Sequence, residues 1–246
     1  MTAPVFVVDD FDTGGTGRYV LGGPEGRHAV AVKRLRAGEE VVLTDGAGRW
    51  AAGEVEGAEG KDRLVVRLGE VVEEPAETPR LTVVQALPKG DRGELAVETM
   101  TEVGVDAIVP WAASRCITQW KGERGAKSLA KWRATAREAG KQSRRVRFPE
   151  VADAATSKGV ASVLAEAEFA AVLHESGTEP LASAPLPSTG DIVLVVGPEG
   201  GVSPEELALF ESVGARAYRL GKSVLRTSTA GTAAAALLLG RTGRWS

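Results

Sequence analysis

Gly197-Pro198-Glu199-Gly200-Gly201 forms a turn directly after the apolar run Ile192-Val193-Leu194-Val195-Val196. A second short run, Ala217-Tyr218-Arg219-Leu220, stops at Gly221 and leads into Lys222-Ser223-Val224-Leu225-Arg226. A β-branched run this short reads as a central parallel strand. The loop at the end of such a strand is where α/β proteins hold ligands, and glycines there let backbone pass close to a ligand or to other backbone. Cys116 is the single cysteine, and His28 and His174 are the only histidines. Neither a disulfide framework nor a zinc cluster can be built from that set, so no metal is expected, and a reducing, cytoplasmic compartment is.

Three other patterns invite chemistry and fail on context. Gly46-Ala47-Gly48-Arg49-Trp50-Ala51 fits the dinucleotide fingerprint, but the following Trp50-Ala51-Ala52-Gly53-Glu54-Val55 is glycine-broken and strand-like, so a hairpin turn is predicted. Gly221-Lys222-Ser223 resembles the end of a phosphate loop, yet the position that needs the first glycine holds Arg216. Glu94, Glu98 and Glu102 stand four apart, as on the wet face of a helix.

Net charge is −3, which by itself argues against a nucleic-acid partner, but the charge is uneven. Residues 121–147 hold ten bases (Lys121, Arg124, Lys127, Lys131, Arg133, Arg137, Lys141, Arg144, Arg145 and Arg147) against Glu123 and Glu138. Such a block is the footprint of a polyanion partner. Leu129, Trp132, Ala136 and Ala139 form an apolar stripe at helical spacing, so a solvated helix face is the competing reading. With only two acids answering ten bases, phosphate binding is favoured.

These groups need elements to position them. Ser203-Pro204-Glu205-Glu206 has the hydroxyl, the first-turn proline and the glutamate of a capped helix start, for a helix to about Val213. Before residue 70 the chain is β-rich, with strand-like runs at 5–8, 40–44, 49–55 and 63–68 and one helix over 27–35, which suggests a small barrel. Acids and prolines at 73–79 have linker composition. After the linker, strands at 81–86, 105–111, 169–173 and 192–196 alternate with helices at 91–103, 121–147 and 157–167, the pattern of a parallel sheet covered on both faces. The longest apolar run, 233–239, is far short of a membrane span and reads as part of a buried final helix over 229–241. No basic-then-apolar leader opens the sequence, and no membrane partner is expected.

Gly-Pro-Glu-Gly-Gly at 197–201, the capped helix, and then Leu220-Gly221 with Val224-Leu225-Arg226-Thr227 and Thr229-Ala230 resemble the SPOUT superclass of S-adenosylmethionine-dependent RNA methyltransferases. The nearest resemblance is to the family that methylates N3 of a uridine in small-subunit (16S) ribosomal RNA. It extends through His28, Arg34 and Gly38, through residues 85–92 (Gln-Ala-Leu-Pro-Lys-Gly-Asp-Arg), through 101–105 (Thr-Glu-Val-Gly-Val) and through Ser114-Arg115. In two places the sequence departs from that family: Ser228 stands where glutamate is frequent, and Lys141-Gln142 where Glu-Gln is frequent.

The resemblance implies an α/β protein with a PUA-like β-barrel RNA-binding domain over residues 1–72, a linker over 73–79, and a SPOUT methyltransferase domain over 80–246. A C-terminal trefoil knot would lie within about 191–246, one of the rare exceptions to the rule against threaded loops. It also implies an S-adenosylmethionine pocket from Leu173, His174, Gly197, Pro198, Glu199, Gly200, Gly201, Leu220, Gly221, Val224, Leu225 and Arg226. RNA contacts would come from His28, Arg34, Lys89, Arg92, Arg115, Arg144 and Arg145. Methyl transfer needs in-line placement of donor and acceptor, and a uridine N3 must also lose a proton or have its developing charge stabilised. Arg226 is the candidate catalytic group facing the base; pairing with a phosphate or a carboxylate is its other reading. The general base is unassigned between Glu199, Glu102 and others.

The resemblance further implies a homodimer. The final helix carries alanines on almost every side and would need cover all round, from a second subunit, or from the 176–190 loop or the first domain of the same chain. Two alternatives stay open: a ribose 2′-O-methyltransferase of the same superclass, disfavoured because its final asparagine motif is absent from residues 224–228, and a non-catalytic RNA-binding protein.

Overall fold

In the first unit, short β-branched runs between turns pair into one curved sheet. The computed structural model describes residues 3–245, so residues 1, 2 and 246 of the expected domains lie outside it. The chain divides into two compact units, one of Met1–Ala76 with Gly140–Phe148 and one of Glu77–Ala139 with Pro149–Ser246. The first unit holds β1 (Val5–Val7), β2 (Arg18–Leu21), α1 (Gly23–Arg27), β3 (Glu40–Thr44), β4 (Arg49–Glu59), β5 (Arg63–Leu68) and β6 (Val72–Glu73). The ladder runs β1-β3-β4-β5-β2, with β6 on β4. A register shift between Val55 and Gly57 marks a bulge, which bends β4 around the core of Phe6, Leu43, Leu64 and Val66.

Gly46 and Gly48 have φ of 74° and 108° in the turn between β3 and β4, and Asp45 N–H donates to Arg49 O at 3.1 Å, so the fingerprint-like stretch is a hairpin turn as its sequence predicts. The single helix expected over 27–35 is replaced by α1, started early by Pro24, and a wide helical turn over His28–Val32, where Lys33 N–H donates back five residues to His28 O at 2.9 Å. Arg34, in the left-handed region at φ 55°, ends that turn. Residues 140–148 pack into this unit rather than continuing the second domain: Phe148 N–H donates to Gly46 O, Thr44 Oγ1 to Val146 O, and Lys141 Nζ meets Glu25 Oε1.

The second unit alternates strand and helix as predicted: β7 (Arg80–Ala86), α2 (Arg92–Val103), β8 (Ala107–Trp111), α3 (Gly122–Gln142), β9 (Glu150–Val151), α4 (Ser157–Ala165), β10 (Phe169–Leu173), β11 (Glu179–Pro180), β12 (Asp191–Val196), α5 (Pro204–Ser212), β13 (Arg216–Arg219) and α6 (Thr227–Arg241). The last three residues of α3 count with the first unit. All ladders are parallel, in the order β11-β13-β10-β12-β7-β8-β9. Strands β12 and β7 are buried from their second residue onward because both faces of the sheet are covered, and only Thr82 and Gln85 interrupt the apolar run there.

The α6 helix is not apolar-covered all round. Gly231, Ala234, Ala235, Leu238 and Leu239 are buried in one stripe, and Ala233 is exposed. Beyond its end, Arg244 forks onto Asp106, with Nη1 to Oδ2 at 2.5 Å and Nη2 to Oδ1 at 3.1 Å. Among the described residues no helix is long and apolar enough to cross a membrane, and no group of three or more His, Cys, Asp or Glu is arranged to hold a metal ion.

Candidate active site

The parallel register levels three strand ends. Leu173, the last residue of β10, pairs with Val196 at the end of β12 on one side and with Tyr218 of β13 on the other. His174 N–H donates to Tyr218 O at 3.1 Å, which fixes the exit from β10 against β13. The loops carrying Leu173, His174, Gly197 to Gly201 and Leu220 to Arg226 therefore leave one edge of the sheet together. The 197–201 turn is closed by Gly201 N–H to Pro198 O at 2.8 Å, with Gly201 at φ 74°. Two neighbours hold it: Lys89 N–H donates to Glu199 Oε1 at 3.2 Å, and Arg115 Nη1 donates to Gly200 O at 3.2 Å.

All residues from Gly221 to Arg226 are exposed, and Val224 is 90% exposed, an unusual position for a large apolar side chain. Arg226 sits at the N-cap of α6 without a side-chain capping bond, and no ion pair reaches it among the described residues. A Cβ at Gly221 would meet nothing within 4 Å, whereas one at Gly197 would lie 2.9 Å from Val202 Cγ2. The tightest glycine near this edge is one that sequence reasoning missed. A Cβ at Gly177 would be 2.7 Å from the Tyr218 carbonyl carbon, yet its neighbours Ser176 and Thr178 look like any loop.

Beneath the loops, Gln85 at the end of β7 is buried and donates from Nε2 to Ala86 O at 3.0 Å and Thr227 O at 3.3 Å. Its Oε1 and the buried Ser228 Oγ have no partner. A Cβ at Gly231 would lie 2.9 Å from Met100 Sδ and 3.3 Å from Gln85 Oε1, so the absent side chain is what lets α6 close over α2 and β7. The capping box predicted for α5 forms, with Ser203 Oγ accepting from Glu206 N. The Glu206 carboxylate also accepts from Ser114 N at 2.7 Å and Ser157 Oγ at 2.8 Å, so it ties three segments below the turn. Burial pushes the Glu206 carboxyl up, but the bonds from Ser114, Ser157 and Ser203 outweigh it and hold the group below the ordinary carboxylate range.

Comparison with known proteins gives the family of the chain. The chain matches the RNA methyltransferase domain family over residues 75–239 and the RNA methyltransferase PUA domain family over residues 21–69. It is 45% identical over 251 aligned residues to ribosomal RNA small subunit methyltransferase E of Mycobacterium bovis, covering 100% of this chain and 94% of the relative. The chain belongs to the ribosomal RNA small subunit methyltransferase E family. A member from Neisseria gonorrhoeae, solved bound to S-adenosyl methionine, is 30% identical with a TM-score of 0.83, covering 98% of both chains. A Legionella pneumophila methyltransferase solved with the cofactor SAM is 27% identical with a TM-score of 0.84, again covering 98% of each chain.

For a member of this family, the expected RNA contacts fall into separate places. Lys89, Arg92 and Arg115 stand near the 197–201 turn or at the start of α2. His28, Arg34, Arg144 and Arg145 belong to the first unit, where His28 packs edge-on to Phe6 at 6.0 Å and Arg144 Nη1 donates to Ala3 O. The basic block is largely answered, contrary to the count of two acids. Lys127 pairs with Glu123, Lys131 with Glu94, Arg133 with Asp153 and Lys141 with Glu25, while Arg147 Nη2 donates to Glu74 O. Sequence counting looked for acids within the segment, and the fold supplies three of them from elsewhere. Glu94 is accordingly not on a purely wet face, being 23% exposed and paired. Glu102 lies at the last turn of α2, next to the start of β8, on the edge of the sheet opposite the loops.

Proposed function

We propose that this chain transfers a methyl group from S-adenosylmethionine to N3 of a uridine in 16S ribosomal RNA of the small subunit. The observation that carries the reading is the levelling of Leu173, Val196 and Tyr218, which brings three ligand-type loops to one edge. The residues fit such a cofactor: there is open space at Gly221, a closed glycine turn at 197–201, and apolar surface left exposed at Val224 and, in part, at Leu225. Bound there, the sulfonium would supply an electrophilic methyl. Main-chain groups of 197–201 and 220–225 hold the adenosine, and Leu173 and His174 close the β10 side. Arg226, exposed and without an ion pair, faces the target base and stabilises charge that develops on it when N3 is deprotonated. Glu199 shares an edge with Arg226 and accepts from Lys89 N–H at 3.2 Å, which supports it over Glu102, at the opposite edge, as the acid that takes that proton.

The same reading includes the finer architecture. A PUA-like RNA-binding domain over 1–72 and a methyltransferase domain over 80–246 are proposed, with a trefoil knot in 191–246. Support for threading comes from the path after β13. From β13 the chain passes the positions of β10 and β12 in the strand order to reach α6, which packs over β7 and β12, and Arg241 donates to Leu181 O and Ala184 O of the β10–β12 connection. That connection is the intrachain cover the sequence offered, and it meets only the end of α6. The exposed Ala233 face and the apolar Val224 loop support a homodimer through this unit, and a cytoplasmic location is proposed from the family's ribosomal RNA substrate.

Calorimetry with S-adenosylmethionine tests the pocket. Wild type should bind and Gly221→Val should lose at least about tenfold in affinity while keeping its unfolding temperature, because the new side chain meets only the ligand. Equal affinity would sink the assignment. Mass spectrometry of 16S ribosomal RNA nucleosides from a strain lacking the gene should show loss of N3-methyluridine; loss of a ribose-methylated nucleoside would favour the 2′-O reading. A stable monomer in sedimentation that still methylates RNA would end the dimer proposal.

A further inference from the structure

We propose that a second site, a cleft of about 340 Å³ beside the cofactor edge, receives one unstacked base of the single-stranded RNA next to the methylated nucleotide. The choice of RNA rests on the function proposed above. Pro88, Trp120, Arg124 and Trp132 are among the residues lining the cleft, which opens between the start of α2 and the start of α3. Its volume falls at the lower end of the roughly 300–1,000 Å³ of small-ligand sites.

Two glycines build its aromatic walls. A Cβ at Gly93 would lie 2.7 Å from the Trp132 indole, and one at Gly125 would lie 2.8 Å from the Trp120 carbonyl carbon, so each tryptophan seats against a helix where any other residue would displace it. The two rings meet edge to face at 4.9 Å between centroids. Trp132 is 2% exposed and acts as floor, whereas Trp120 is half-buried and keeps part of its ring open to the cleft. Ile117 at the rim is 70% exposed. Aromatic surface of this kind is what an unstacked base needs, because every base presents a π-face.

Polar groups are placed for the rest of a nucleotide. Gln119 lines the cleft and offers its amide to a base edge, while the Ser128 hydroxyl donates to Arg124 O at 3.0 Å and keeps only its acceptor side for a ligand. Glu94, the lining acid, is neutralised by Lys131 at 2.9 Å, and Glu123 on the first turn of α3 by Lys127 at 2.8 Å. Arg124 and the exposed Lys121 have no ion pair among the described residues, so the rim is left cationic. A cationic rim over an aromatic wall matches a phosphate joined to a base better than it matches an apolar peptide. The cleft also borders the cofactor edge through one shared segment. Pro88 lines it and accepts from Thr118 Oγ1 at 2.8 Å, and the adjoining Lys89 N–H bonds Glu199 of the glycine turn.

The test uses the full chain and a short single-stranded oligouridylate, with affinity read by fluorescence anisotropy. Trp120→Leu should weaken binding roughly 5- to 150-fold, as loss of one stacked base does. Trp120→Phe should restore most of it, and Arg124→Ala should weaken binding and lower its salt sensitivity. Because Trp120→Leu removes packing against Trp132, the surface variants Arg124→Ala and Gln119→Ala keep the idea exposed even if that variant misfolds. Unchanged oligonucleotide affinity in Arg124→Ala and Gln119→Ala would overturn it. So would a loss seen only with assembled small subunits, which would assign the cleft to a protein. Calorimetry with S-adenosylmethionine on the same preparations separates the two readings. Wild type that binds RNA through the cleft but binds no cofactor refutes methyl transfer and leaves the cleft standing.

Discussion

Lys141 Nζ lies 2.9 Å from Glu25 Oε1, with the two side chains 4% and 13% exposed. The sequence departure at Lys141 is thus answered within the same unit by an acid 116 positions earlier. Removing one member takes this buried ion pair from the other, which costs up to about 3–5 kcal/mol, whereas replacing both by apolar residues costs less. Lys141→Met should therefore lower the unfolding temperature of the first unit by calorimetry, and Glu25→Leu added to it should recover most of the loss. Two additive losses would show that the residues do not act as a pair.

Glu206 carries an acid-stability prediction. Its folded pKa is depressed below 4.5, so its contribution is fully present above about that value and is lost as pH falls through the lower folded value. Glu206→Gln cannot ionise and keeps only part of the bonding to Ser114, Ser157 and Ser203. It should cost roughly 1.5–3 kcal/mol at neutral pH. The gap from wild type should narrow as pH falls below 4.5; chemical denaturation at several pH values would show a constant gap if this account is wrong.

At Gly177 a new Cβ strikes backbone rather than a flexible side chain, 2.7 Å from the Tyr218 carbonyl carbon. Gly177→Ala should shift β13 against β10 and cost about 1–3 kcal/mol. It should also weaken S-adenosylmethionine, although residue 177 is not among those proposed to touch it. Normal stability together with normal cofactor affinity would show that this approach is relaxed at little cost.

Salt dependence should sort the basic block into two classes. Lys121→Ala with Arg124→Ala should reduce the slope of log affinity against log salt by roughly 0.7 per lost phosphate contact. Arg147→Ala, which removes the 2.7 Å bond to Glu74 O, should lower stability of the first unit and leave that slope alone. The reverse assignment would mean that the paired cations open to bind RNA.

The strand ends, the capping box and the hairpin at Gly46–Gly48 were legible because each is set by neighbours within a few residues: a β-branched run, a hydroxyl three residues before a glutamate, an aspartate and glycines in a turn. What could not be read was set by partners far along the chain. Glu25 for Lys141, Glu94 for Lys131 and the Glu74 carbonyl for Arg147 gave three of the ten bases of an apparent RNA-binding block internal partners. Gly93 and Gly177 look like ordinary helix and loop glycines until Trp132 and Tyr218 are placed against them. The Arg27–Leu35 helix was misread because Pro24, before the apolar pattern begins, starts the first turn, and Arg34 stops the second.

Arg244 and Asp106 are joined across 138 positions. At the usual pace of about 5–20 residues per second, the ribosome adds the arginine roughly 7–28 s after the aspartate. Through that interval β7 is already made, yet the aspartate lacks this arginine and the sheet lacks the helix that covers Gln85. The second unit is therefore a late-closing fold, because the helix that covers Gln85 follows every strand of its sheet in the order of synthesis.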